Sequence, residues 1–439
     1  MKNILIAIRS IFKKGRHNVM KIVSLGIGLA VGLVLIAKVY FEQSYDDFYP
    51  DRDRVYQVWA KYQQNGGELK DYPQTSGGIA PTMQQQIPEI ETVTRYTSFG
   101  DWTFTMTDTK MKYSGRCIIA DSCFFDILPR PMLIGNAKEV LSTPMYVLIS
   151  SRIAKNIGGD VIGKNFTVDN SPGRTMTIGG VFEEVPENSH SRYDVIVSMA
   201  SAGRFMWEGS PTNMLGNDRY ISYVKLHKGV NPLALEEQVR TFVNSYFPPE
   251  EQQKVGLSID FSFHKLDNLH KELPQVKRMT WILSLLAFAL IFTAVMNYIL
   301  IVISSIVNRS KEVAVHKCYG ASENNIHGMM FGEALVHIVL SLILALLLIL
   351  AFRGTVEELL ATSLDSLLLS NGSLVLLGIC ILVFFVSGFM PGSLYARIPV
   401  ASAFRNYREN KRIWKKALLL VQFVATGFLV TMLVFVARQ

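Results

Sequence analysis

At 439 residues with a mean hydropathy of +0.23, the chain averages two unlike populations. Windows of about 20 apolar residues, enough for a helix to cross a bilayer, alternate with one long stretch of ordinary soluble composition. The net charge of +8 is gathered in short basic segments beside those windows, so it reads as a topology signal and leaves a nucleic-acid interface little to explain.

In chain order, residues 1–21 come first. Asn3–Lys14 reads as an amphipathic helix with Ile4, Leu5, Ile8, Ile11 and Phe12 on one face. Arg9, Lys13 and Lys14 are then free for anionic headgroups; packing on the protein's own loops fits equally well. The first apolar window, 22–40, is too long for a secretory signal and no small-residue cleavage site follows it, so an uncleaved first span is expected. Its Gly28 and Gly32 form a GxxxG helix-packing pattern. Lys38 near its end is expected to snorkel.

Residues 41–278 alternate between strand-like and helix-like stretches. Strands are expected at Arg54–Tyr62, Thr92–Tyr96, Trp102–Met106, Tyr146–Ser150, Arg174–Val185, Val195–Met199, Tyr220–Leu226 and Leu257–Phe263, and helices at Ala80–Ile87, Ser151–Ile157 and Pro232–Tyr246. The pattern is α+β, with two lobes expected from its length. Asp46 and Asp47 read as a solvated turn. Cys117 and Cys123 lie where a disulfide is permitted but not required. Gly158–Asn165 comes within one residue of a P-loop, yet Asn165 replaces the magnesium-binding hydroxyl and the element order is reversed, so a Gly-rich turn into a strand is expected.

Three more windows fill 279–394: Trp281–Val307, Ala334–Phe352 and Leu374–Met390. A basic linker (395–416) and a fifth window (417–438) follow. Arg309, Lys311 and Lys317, the N-terminal basic run and the 395–416 linker fall on one side of the membrane, and Glu357, Glu358 and Asp365 on the other. The N-terminus and the 308–323 loop are therefore expected in the cytosol, and the 41–278 domain outside. Asn297 and His337 are costly in lipid and should face other helices. No His, Cys or carboxylate spacing matches a metal site or a catalytic constellation, so no catalytic, metal or cofactor residue is assigned. The expected fold class is an α-helical polytopic membrane protein with a large α+β extracytoplasmic domain inserted between the first and second transmembrane helices.

The 308–323 loop has the most internal logic. Asn308 or Ser310 caps a short helix with Glu312 in its first turn and Lys317 in its last. Gly320 stops it and Ser322 caps the next helix, which runs through Glu333. Val313, Ala314 and Cys318 form a small apolar face. The result is a rigid elbow, equally a plain membrane-surface helix or a docking surface for a cytosolic protein.

Here the sequence resembles a known family. Arg309, Glu312, Val313, Lys317, Gly320, Ala321 and Ser322 match the R-x-x-E-I/V-x-V/I-x-K/R-x-x-G-A/S-S/T signature of MacB/FtsX-type ABC transporter permeases. Tyr395–Arg405 resembles that family's second signature in shortened form. Tyr45-Asp46 with Phe48, Arg52–Tyr56, Phe124–Asp126, Ile162–Lys164, Gly180–Phe182 and Pro186–His190 are similar to a MacB-like periplasmic core. The resemblance implies a permease subunit of an exporter or mechanotransmission complex in the cell inner membrane. ATP and magnesium would bind a separate cytosolic ABC ATPase that grips the elbow. It also implies a homo- or heterodimer with another permease half, and a periplasmic adaptor. The fifth window resembles the start of a second half, which would make this an incomplete eight-span permease; a helix that pairs with a partner is the other reading. The other reading is a membrane sensor or regulator of cell-envelope processes; a membrane enzyme is disfavoured. The substrate is not legible.

Overall fold

The computed structural model describes residues 17–169, 171–369, 372–396, 399–400, 416, 419–427 and 431. They form two compact units, one of Ser44–Leu273 and one holding the helices on either side of it in the chain. The N-terminal amphipathic helix expected at Asn3–Lys14 and most of the 395–416 linker lie outside the described residues. The fifth window does so in part; its residues 419–427 are helical.

The helical unit contains, among the described residues, four helices long and apolar enough to cross a membrane. The first is α1 (Asn18–Gln43). The α+β unit contributes α2 (Ile79–Gln86) and α3 (Glu236–Tyr246). Then come α4 (Pro274–Ser304), α5 (Ile306–Cys318), α6 (Glu323–Ala351), the short α7 (Arg353–Leu360) and α8 (Leu364–Leu368), and α9 (Ser373–Ala396). In α1, Leu25, Leu29, Ala30, Leu33 and Val34 are buried whereas Val23, Ile27 and Val31 are exposed, which is one face on helices and one free for lipid. Gly28 and Gly32 sit where α1 meets α4. A Cβ on Gly28 would overlap the Ala294 Cβ, and one on Gly32 would overlap Ile291. The GxxxG face is thus spent inside the chain.

Several polar side chains in this unit pair with one another. His337 Nδ1 lies 3.1 Å from the Tyr298 hydroxyl, and the Gln422 amide donates to Asn297 Oδ1 at 2.6 Å. Lys38 does not snorkel. It is buried, 2.7 Å from Glu42, and donates to Thr362 Oγ1 at 2.7 Å in the turn between α7 and α8.

The α+β unit is built on one eleven-stranded sheet. Its strands are β1 (Val55–Gln64), β2 (Lys70–Tyr72), β3 (Ile90–Met106), β4 (Lys112–Ala120), β5 (Met132–Ile134), β6 (Tyr146–Ser150), β7 (Asn165–Val168), β8 (Ser171–Phe182), β9 (Val195–Ser198), β10 (Ile221–Leu226) and β11 (Leu257–Lys265). The order is β11-β1-β10-β3-β4-β9-β6-β8-β5, with β2 on β1 and β7 bridging β3 and β8. Pairing is antiparallel except for β4 with β9 and β6 with β8. Instead of two lobes there is a single sheet, because β3 runs unbroken through both strands expected there. Its register shifts at Ser98/Gly100, where Gly100 takes a φ of +76°, so a bulge absorbs what looked like a turn. One core packs α2 and α3 on the β1–β10–β11 end through Val58, Val224, Phe242 and Phe261, and a second fills the β6–β8 end. A third, with Tyr49, Tyr96, Phe124, Tyr193 and Tyr223, lies along the middle.

The expected helix at Pro232–Tyr246 begins as a 3-10 turn before α3. Gly158–Asn165 is a turn from the helix Ser151–Ile157 into β7. Both cysteines of this unit are free. Cys117 is buried in β4 and Cys123 hydrogen-bonds the Val93 carbonyl. Burial pushes both thiols up, which makes them inert rather than reactive.

Candidate functional site

The elbow is built by two helix ends. α4 stops at Ser304, and Ser305 starts α5, its hydroxyl donating to the Val302 carbonyl at 2.6 Å. Thirteen residues later the chain reverses. The Gly320 N–H donates to the Lys317 carbonyl and the Ala321 N–H to the His316 carbonyl, both at 3.0 Å, with Gly320 at a φ of +87°. That double bond pattern closes a helix, and its turning residue needs the left-handed conformation glycine adopts freely. Ser322 then accepts from the Asn325 N–H at 3.3 Å and opens α6. Only one residue separates the Gly320 stop from the Ser322 cap, so the elbow has little freedom.

One side of α5 faces inward. Val313 and Ala314 are fully buried against Ile326, Met330 and Tyr395. Cys318, expected on that face, is exposed. The outward side carries Val315, His316, Cys318 and, at the tip, Tyr319 at 88% exposure. The Tyr319 ring thus stands clear of the fold at the end of a closed turn.

Arg309 is the anchor. Its guanidinium makes two 2.7 Å hydrogen bonds to the two carboxylate oxygens of Glu333 on α6, and both residues are buried. Such a fork holds direction as well as charge. Glu312 adds a longer ion pair at 3.7 Å. The Tyr395 ring of α9 lies 5.4 Å from the same guanidinium, and its hydroxyl donates to the Val302 carbonyl of α4 at 3.1 Å. One cation therefore ties the elbow to α6 and α9, and Tyr395 carries the tie to α4.

Of the residues read from the sequence, Arg309 and Val313 face this junction, and Gly320, Ala321 and Ser322 form the turn. Glu312 and Lys317 flank it, and Gly28 and Gly32 belong to the α1–α4 contact. Tyr395, at the head of the second signature, joins the first through Arg309. Glu333 was passed over as part of a helix; its signal was a lone carboxylate at the edge of an apolar span, which requires a cation nearby. Asp46 was misread. It is fully buried with a φ of +59°, and its carboxylate is bonded to Ser189 and His190. Among the described residues no group of three or more His, Cys or carboxylate side chains could hold a metal.

The profile of the FtsX-like permease C-terminal domain matches residues 284–400, from within α4 through the elbow to α9. Over 49% of its length the chain is similar to a domain of a permease protein from Porphyromonas gingivalis, with 33% identity, 91% of that domain covered and a TM-score of 0.46. It also resembles the extracellular domain of the noncanonical ABC-type transporter YknZ from Gram-positive bacteria, at 11% identity over 47% of this chain and 98% of that one, TM-score 0.33. No curated protein matches the chain. Residues 284–400 are thus an FtsX-like permease C-terminal domain.

Proposed function

We propose that this protein is the permease subunit of an ABC-type complex, with a separate ATPase gripping the elbow and ATP-driven closure there moving the α+β unit on the far side of the membrane. The observation that carries the reading is the pairing of an exposed tip, Val315–Tyr319, with a buried anchor. Force applied at the tip reaches α6 and α9 through Arg309–Glu333 and Tyr395 without bending a flexible loop. On this reading the basic segments are cytosolic, the α+β unit is a MacB-like core outside an inner membrane, and ATP with magnesium binds only the partner. A second permease half and an external adaptor complete the assembly. Export and purely mechanical signalling use the same parts.

Affinity-tagged full-length chain should retain its ATPase through purification. Gly320→Pro cannot take the φ of +87°, and Glu312→Lys reverses the charge beside Arg309; each should release the ATPase. Tyr319→Ala, at an exposed position, should weaken the grip while leaving the melting temperature unchanged. ATPase binding that survives all three substitutions would sink the assignment.

A further inference from the structure

Two segments singled out in the sequence, Tyr45-Asp46 and Pro186–His190, take no part in the elbow, and the α+β unit brings them together. Ser44 follows Gln43, the last residue of α1, directly in the chain. The Asp46 N–H donates to the Asn188 carbonyl at 2.9 Å, and the Asn188 amide donates to the Ser44 carbonyl at 2.7 Å. Asp46 Oδ1 accepts from the Ser189 hydroxyl at 3.0 Å and the His190 N–H at 3.3 Å, and Oδ2 lies 2.7 Å from His190 Nδ1. His190 Nε2 in turn bonds the Tyr223 hydroxyl. Tyr223 is fully buried on β10, the strand between β1 and β3. The departing chain is fastened at the same place: the His270 ring stacks on Tyr45 at 3.4 Å and Lys271 reaches Asp47 at 3.2 Å. Pro274, three residues on, begins α4.

We propose that residues 44–47, 188–190 and 270–271 form a clasp that fastens both ends of the α+β unit to β10, an interior strand, so that a pull on either end reaches the sheet, with Asp46 and His190 as its positioning residues. A loose chain end would leave these backbone groups to water. Here a non-glycine residue is held in a left-handed conformation by four bonds to a segment 142–144 residues away, and a buried carboxylate reaches an interior strand through one imidazole. Such a conformation persists only where the surroundings over-determine it. The clasp rests on the coupling reading above for the motion it transmits, and on its own geometry for its rigidity.

Hydrogen exchange on the full-length chain in nanodiscs tests the rigidity without the ATPase. Residues 44–50 and 186–193 should be protected to the level of β10. Asp46→Ala should speed exchange in both segments together by about tenfold or more while leaving β6 unchanged. Asp46→Asn, which keeps an acceptor for Ser189 and the His190 N–H, should restore most of the protection. Wild-type segments that exchange like an open loop, or an Asp46→Ala effect confined to its own segment, overturn the clasp. With ATPase and ATP added, exchange should change at 306–322 and in β10 of the wild type, and only at 306–322 in Asp46→Ala. A β10 response that persists in that variant overturns the transmission role. No response at 306–322 in the wild type would instead be failure of the coupling reading, and transmission would fall with it.

Discussion

Arg309 and Glu333 are two opposite charges taken out of water together, and their value lies in what remains when one is removed. Replacing a single partner leaves an uncompensated buried charge, which costs roughly 3–5 kcal/mol. Glu333→Leu should therefore lower the melting temperature of the detergent-solubilised protein sharply, whereas the Arg309→Met/Glu333→Leu double variant should recover most of the loss. Equal destabilisation by the single and double variants would mean that the fork adds nothing. The double variant also separates stability from function: it should fold and still fail to retain the ATPase, because the direction imposed by the fork is gone. At this scale the sequence was uneven. Gly320 and Ser322 were legible because helix ends have local rules. Asp46 was not, since its partners come from Ser189 and His190, far along the chain.

Among elements, the contact of α1 with α4 is the tightest test of helix packing. Gly28→Leu places a side chain where the Ala294 methyl already stands. The helices must separate, at about 1–3 kcal/mol for overpacking of this kind, read as a fall in melting temperature. Gly378→Leu on α9 is the control, because a Cβ there meets nothing within 4 Å. If both variants melt alike, α1 does not use Gly28 to approach α4. The expected strands and helices of the α+β unit were found close to their expected places wherever apolar residues carry a clear period, as at Tyr146–Ser150 and Ser151–Ile157. β2, β4, β5 and β7 were missed. β2, β5 and β7 are three or four residues long and owe their extended form to neighbouring strands rather than to their own pattern. β4 is longer, but its apolar residues are gathered in its second half, so it shows no alternation.

For the whole molecule, the middle core of the sheet sets an alkaline limit. Tyr96 is fully buried, and burial pushes its hydroxyl from 10.0 to about 12, with a bond to Ser191 pulling the other way; Tyr49, Tyr193 and Tyr223 are raised as well, burial being the first cause for each. The unfolded chain releases these protons first. Stability is thus fully present below pH 10.0 and is lost as pH climbs toward 12, by on the order of 3 kcal/mol for Tyr96 alone. Phenolate absorbance in this window should rise together with the loss of sheet signal in circular dichroism. Tyrosines that ionise while the sheet stays intact would show that this core admits water.

The sequence by itself determined the apolar spans, the α+β character of 41–278 and the elbow's two caps, because each depends on residues a few positions apart: period, length and helix-end chemistry are local. Only the tertiary structure decided that Arg309 meets Glu333 and Tyr395, that Gly28 packs on Ala294, and that Asp46 is buried against Ser189 and His190 rather than set in a wet turn. The physical reason is the same in each case. A charge or a glycine signals that it needs a particular neighbour, and folding alone chooses which distant residue arrives to supply it.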